Sequence, residues 1–370
     1  MGRRGTKLKG QHFLLSPKAR TISLNDVFSW SDNKVFRTFC EFRWGSKTKQ
    51  ACPRCSVFDT HQFFKGTKVG MDGKSVPGRW RCKHCHGFFS LTSGTVFNSH
   101  KLPLRTLLAA IVLFVNSVKG LSALQMCREI GVSYKTAYVL LQKVRDTLFK
   151  ERILNPLEGV VEIDGGYLKT AVRKANKKTD RKDLRLEPNQ NPLKCVVLAL
   201  RQRSKDFARG ADRSITVILK SENPEDVQAA VERYVRPGSH VFTDGHNAYS
   251  ALSKHPDYIH EVVNHEEEYQ SDDGINQNQA ESFFSRMRRL VDGQIHKLAQ
   301  KHIDLYANEI VFREDWRRTS NGFQFRLVGQ KLMRNEPSRS FAKYWQGNKK
   351  RNPAIVTAAD LRTGNVHPFV

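Results

Sequence analysis

Two C-x₂-C pairs, Cys52-Pro53-Arg54-Cys55 and Cys82-Lys83-His84-Cys85, restrict what this chain can fold into more than any other feature. A C-x₂-C turn brings two thiolates toward one ion, and two such turns complete the tetrahedral sulfur shell that a closed structural Zn²⁺ site prefers. Between the pairs, Phe63, Phe64, Lys65, Gly66, Trp80 and Arg81 read as a β-hairpin, so residues 36–100 are expected to form a zinc ribbon held by Cys52, Cys55, Cys82 and Cys85. His84 and His86 are alternative ligands, but four cysteines already fill the shell. The chain has seven cysteines, an odd number, which points to a metal site in a reducing compartment rather than to a secreted disulfide framework. Cys40, among apolar neighbours, reads as a buried small hydrophobe.

Charge then narrows the partner. Lys and Arg number 62 against 36 Asp and Glu in 370 residues, a formal net charge of +26. So large an excess of one sign disfavours the compact state unless a polyanion neutralises it, and nucleic acid is the first candidate. A membrane is the competitor, yet the longest apolar run, Leu107 to Val115, is far too short to span one. Arg3, Arg4, Lys7 and Lys9 precede no apolar core, so residues 1–35 read as a basic N-terminal segment and not as a secretory signal. A cytoplasmic protein without membrane contact is expected. Arg54, Lys65, Arg79, Trp80 and Lys83 around the knuckles suggest a DNA-facing surface.

Residues 101–150 carry a helix-turn-helix pattern. Pro103 suits the start of an apolar helix through Leu107 to Val115, Leu121 to Ile130 is a second helix, Gly131-Val132-Ser133 a turn, and Tyr134 to Phe149 a third helix with Ser133 as its N-cap. The last of these could enter a major groove with Tyr134, Lys135, Thr136 and Tyr138. Helical hairpins of this spacing also occur without DNA. Residues 321–370 read as a basic C-terminal tail with weak patterning.

Residues 158–320 alternate strands and helices, the pattern of an α/β domain with a mixed sheet. Val160 to Leu168, Leu193 to Arg201 and Ser214 to Leu219 read as three strands, Pro224 to Val235 as a helix, His240 to Thr243 as a fourth strand, and Tyr258 to Val263 as a further strand candidate. Gln277 to Val291 reads as a helix on the spacing of Ala280, Phe283, Phe284, Met287 and Val291. Between the first two strands, Arg173 to Lys182 is a cation-rich turn, either a solvated loop or an arm that tracks phosphate. This order of elements is that of the RNase H or retroviral-integrase fold. It places Asp164 and Asp244 at strand ends and Glu281 on a late helix, where Asn278 and Arg288 share its flank. Two divalent ions about 3.5–4 Å apart can bind one phosphate, and hard cations want carboxylate oxygens. Asp164 would bridge two Mg²⁺ or Mn²⁺ ions, with Asp244 and Glu281 completing one site each. The competing reading of Asp164 is a turn aspartate. Among the other acids, Glu162 shares the Asp164 face by strand alternation, whereas Glu266 to Glu268 read as a solvated run and Asp272-Asp273-Gly274 as a turn.

Asp164 in EIDGGY, Asp244 in TDGHNAY, His265 in NHEEEY and Asn278-x-x-Glu281 in NQNQAESFFSRMRR, behind the cysteine pairs, resemble a bacterial insertion-sequence transposase with an N-terminal zinc ribbon and a DDE core of integrase type. The resemblance runs from about Phe36 to Arg318. It implies metal-dependent hydrolysis at element ends, then attack of a 3′-hydroxyl on target DNA, with double-stranded terminal repeats and target DNA as partners and a homodimer or larger assembly on DNA. It also implies that Asn278 orients Glu281 or a metal-bound water, and that His265 lies near the scissile phosphate; a structurally satisfied His265 is the competing reading. Asn276 departs from a family His, and Trp316 stands where a polar residue is usual. An RNase H-like nuclease that cuts without joining, and a non-catalytic zinc-ribbon/helix-turn-helix regulator, are the alternatives.

Overall fold

A computed structural model of the chain describes residues 13–58, 61–66, 78–168, 177, 179, 195–206, 210–263, 278–296, 298–348 and 351–365. The chain divides into two compact units, one made of residues 1–118, 123–147 and 316–342, the other of residues 119–122, 148–315 and 343–370.

The first unit begins with two short helices whose starts are written in serine. Helix α1 (Leu24–Ser29) opens on a capping box, in which Ser23 Oγ accepts from the Asp26 amide and the Asp26 carboxylate accepts from the Ser23 amide. Helix α2 (Asp32–Trp44) is capped by Ser31 and stops at Gly45, which takes a φ of +69° that a side chain disfavours. The ribbon follows as an antiparallel sheet of β1 (His61–Phe64), β2 (Arg79–Cys82) and β3 (Phe88–Ser90) in that order. Its inner face is aromatic: Trp80 stacks on Phe36 of α2 at 5.7 Å and on Phe89 at 5.5 Å. Trp80 was expected on a DNA-facing surface, but it is only 4% exposed. Strand alternation turns it inward while its neighbours Arg79 and Arg81 point out.

Helix α3 (Leu104–Asn116) buries every residue from Leu107 to Val115, so it is covered on all sides. Helices α4 (Ala123–Glu129) and α5 (Tyr134–Lys150) flank a turn in which Gly131 has a φ of +64° and the Val132 amide donates to the Cys127 carbonyl. Ser133 Oγ accepts from the Thr136 amide, as its N-cap position requires. Tyr134 and Lys135 are exposed at the start of α5.

The second unit is a sheet covered on both faces. Strands β4 (Val160–Tyr167), β5 (Val196–Arg203) and β6 (Ala211–Leu219) form an antiparallel meander. Helix α6 (Pro224–Tyr234) then leads to β7 (His240–Asp244), parallel to β4, and β8 (Ile259–Val263), parallel to β7. Helix α7 (Asn278–Leu290) ends in a wider π turn over Val291–Ile295, and α8 (Ile303–Asp315) follows. Because side chains alternate, β5 serves two cores. Val196, Leu198 and Leu200 pack with Val227 and Val231 of α6, while Val197 and Ala199 pack with Phe283, Phe284 and Met287 of α7 and Ile310 of α8.

The stretch 321–370, expected as a basic tail, contributes to both units. Helix α9 (Asn321–Arg334) packs on α2 and α3, with Gly329 so close to the Phe42 ring that a Cβ there would stand 2.2 Å from it. Asn321 accepts from the Thr21 and Ile22 amides and donates to the Ile22 carbonyl. Strand β9 (Ile355–Val356) then extends the large sheet, whose order is β8-β7-β4-β5-β6-β9, and α10 (Ala358–Thr363) packs on α6. The Arg351–Asp304 pair, 2.7 Å apart and almost wholly buried, anchors this return. Among the described residues no helix is long and apolar enough to cross a membrane.

Candidate functional site

The register between β4 and β7 builds the acidic site. Val160, Val161 and Glu162 lie opposite His240, Val241 and Phe242, so Asp164 follows two residues beyond that ladder and Asp244 is the last residue of β7. Asp164 was expected at a strand end, but β4 runs on through Gly165, Gly166 and Tyr167 because each of them still pairs with β5, which leaves Asp164 within the strand. Burial is the largest influence on Asp164; next come the carboxylates of Asp244, Glu222 and Glu281, which together lift its carboxyl to about 7 against the downward pull of the Gly165 amide. Asp244 is half-buried and accepts from the His246 amide at 3.0 Å, an Asx turn that fixes its carboxylate. Behind it, Thr243 Oγ1 and Ser253 Oγ lie at 2.8 and 2.7 Å from the two ring nitrogens of His260. Glu281 is exposed on the first turn of α7.

Glu222 escaped the sequence reading. It lies between β6 and α6, where an acid just ahead of Asn223-Pro224 looks like ordinary first-turn charge, and its carboxylate accepts from the buried Tyr249 hydroxyl at 2.7 Å. The paired glycines of β4 explain how these groups fit. A Cβ on Gly165 would stand 2.1 Å from Glu222 Oε1, and one on Gly166 would stand 2.2 Å from the Phe284 ring of α7. Each glycine thus lets one layer approach one face of the strand.

Glu162 is not a free acid beside Asp164. It is fully buried, pairs with Arg203 at 2.5 Å, and accepts from the Gln279 and Ala280 amides at 2.8 and 3.1 Å. Those amides are among the unpaired donors at the start of α7, so Glu162 caps the helix that bears Glu281. Arg201 holds the same turn from its other polarity, donating to the Gln279 carbonyl at 2.6 Å. Glu309 is committed too, to Arg313 at 2.7 Å. Asn278 begins α7, but its side chain lies outside the described residues, as do His265, Asn276, Glu266 to Glu268, and Asp272 with Asp273. Of the Arg173 to Lys182 turn, only residues 177 and 179 are described.

The ribbon holds the second site. Sγ of Cys52 lies 3.7 Å from that of Cys85, Sγ of Cys55 lies 3.6 Å from that of Cys82, and all four sulfurs fall within 4.8 Å of one another. A tetrahedron with Zn–S bonds of about 2.3 Å has edges of about 3.8 Å, so the four thiols fit structural zinc. The two knuckles are local copies: Ser56 and His86, each following the second cysteine, take left-handed φ values of 60° and 56°. The Cys85 amide, and after it the His84 amide, donate to Cys82 and bring its thiol down to about 6. Among the described residues this is the only set of three or more His, Cys, Asp or Glu ligand atoms within that distance.

Residues 156–315 match the ISXO2-like transposase domain, and residues 30–87 match the transposase zinc-ribbon domain. A Halobacterium salinarum protein described as an uncharacterized protein in transposable element ISH50 is 26% identical over 266 residues, covering 70% of this chain and 83% of that protein. The cysteine site falls within residues 30–87 and the acidic site within residues 156–315, so the chain joins an N-terminal transposase zinc-ribbon domain to an ISXO2-like transposase domain, as an insertion-sequence transposase does.

Proposed function

We propose that the protein binds the ends of its element and joins them to target DNA by in-line phosphoryl transfer at Asp164, Asp244 and Glu281. The observation that carries this reading is that the carboxylates of Asp244, Glu222 and Glu281 all lie close enough to the half-buried Asp164 of β4 to raise its carboxyl. The sheet supports it: a three-stranded antiparallel meander followed by two strands parallel to its first is the RNase H-like arrangement. The donor set fits hard divalent cations such as Mg²⁺ or Mn²⁺, which take carboxylate oxygens. Two such ions, when bound, activate the attacking oxygen and stabilise the leaving one.

The chain's own groups have separable tasks in this reading. Asp164, central among the acids, would help to hold both ions, and Asp244 and Glu281 would each help to hold one. The Asx turn at His246 fixes Asp244, and the Glu162 and Arg201 contacts fix the turn of α7 that carries Glu281. Asn278 and His265 keep the roles that the family resemblance implies, orienting Glu281 and lying near the scissile phosphate. The exposed start of α5, with Tyr134 and Lys135, supports its entry into the major groove of the terminal repeats. Two ends must be held at once, so the active form on DNA is at least a dimer.

The test is incubation of purified protein with terminal inverted repeats, a target plasmid and Mg²⁺. Joined products are expected. Cleaved ends without joining would instead mark a nuclease, and retarded but intact DNA a regulator.

A further inference from the structure

The outer face of the ribbon sheet is built for something the zinc site and the acidic site do not use. Register places Phe64 opposite Arg79, and Arg81 opposite both Gln62 and Phe88, so these side chains share the face turned away from Trp80 and Phe89. Phe64 is 37% exposed and Phe88 is 52% exposed, with ring centroids 5.7 Å apart. The guanidinium of Arg79 lies 4.6 Å from the Phe88 centroid and that of Arg81 lies 5.8 Å from it. The core of the ribbon is already made by the inner aromatics, so the two outer rings are not needed to fill it. Among the described residues neither guanidinium has a carboxylate partner, and residues 73–128 contain no Asp or Glu at all.

We propose that this face is a stacking platform for the bases of an unpaired DNA strand. The absence of acid around it calls for an anionic partner, which excludes an ordinary apolar protein surface. Duplex DNA accounts for the arginines but not the rings, because its base faces are hidden within its own stack. An unpaired strand accounts for both: bases stack on Phe64 and Phe88, while Arg79 and Arg81 reach the phosphates. A strand end released by cleavage, or frayed at the terminus of the element, has this chemistry. The inference uses no residue of the acidic site and stands or falls apart from it.

The experiment is fluorescence anisotropy of the full-length, zinc-loaded protein with a short oligo(dT) strand and with a duplex of equal length. The double variant Phe64→Leu/Phe88→Leu keeps apolar side chains and the zinc ligands but removes both rings. Its affinity for the single strand is expected to fall by at least about tenfold, with duplex affinity and zinc content unchanged. Equal loss for strand and duplex, or no loss for either, overturns the proposal. Ultraviolet crosslinking of the unsubstituted protein to oligo(dT) gives a readout that does not depend on the variant folding. Adducts on Phe64 or Phe88 are expected; adducts confined to other segments overturn it.

Discussion

Replacing Asp164 by Asn should stabilise the protein without divalent ions while abolishing its response to them. Its carboxyl has an ordinary value of 3.8 and is carried to about 7 in the fold, first by burial and then by Asp244 and Glu222. The native state therefore holds this proton more tightly than the unfolded chain. The stabilisation it gives is whole below about pH 4 and is lost as the pH rises through 7. At about 1.4 kcal/mol per pH unit, the ionised side chain destabilises the ion-free fold by roughly 4 kcal/mol above pH 7. Asp164→Asn never carries that charge. Urea unfolding of both zinc-loaded proteins without Mg²⁺ should show the variant more stable, the gap widening by about 2–3 kcal/mol from pH 5 to pH 8. Asp315, which burial also pushes up to about 7, is present in both proteins and drops out of the difference. Adding Mg²⁺ to about a hundred times its Kd should then stabilise the unsubstituted protein by about 2.7 kcal/mol and leave the variant unmoved. A gap that does not change with pH, or a variant less stable at pH 8, would refute the acid-crowded burial from which this follows.

Other substitutions probe the supports. Glu162→Ala removes the ion pair to Arg203 and leaves two α7 amides without their buried acceptor, so it should lower stability by about 2–4 kcal/mol; Glu162→Gln, which keeps an acceptor, should lose less. In both, strand cleavage should fall further than DNA affinity, measured by gel retardation beside the cleavage assay. Gly166→Ala presses a methyl group into the Phe284 ring and should destabilise by about 1–3 kcal/mol, seen as a lower urea midpoint, and should slow cleavage because α7 carries Glu281. Cys52→Ser should release zinc, measured by metal analysis, and unfold the ribbon while the unfolding transition of the transposase unit stays in place.

The sequence announced the two sites unequally. C-x₂-C spacing is local, so the four zinc-type ligands were readable without knowing the fold, down to the repeated turn. Asp244 stood out as a strand end followed by glycine, and so it is; Asp164 stood out for the same reason, but its paired glycines continue β4 instead of breaking it, because they pair with β5 and their missing side chains admit Glu222 and Phe284. Glu222 did not stand out, since its position depends on Tyr249 and on a cavity that Gly165 leaves, contacts that no periodicity encodes. Glu162 was legible as a residue on the Asp164 face but not as a helix cap, because its partners at Gln279 and Ala280 lie more than a hundred residues away. Trp80 misled because aromatic and basic residues alternate in β2, and only packing on Phe36 shows which of them face inward. In the last segment, Phe325, Val328, Leu332 and Met333 form the buried stripe of α9, obscured in the sequence by the cations between them.

The route of that last segment sets an order of events during synthesis. The first unit includes residues 316–342, so its helix layer lacks α9 until nearly the whole chain has left the ribosome. The ribbon-bearing unit, though translated first, finishes folding after strands β4 to β8 have been made. A stop codon at residue 316 would leave the acidic residues intact and still remove α9 from one unit and the edge strand β9 from the other. Late truncations of this gene should therefore yield insoluble or protease-sensitive protein, not a shortened enzyme.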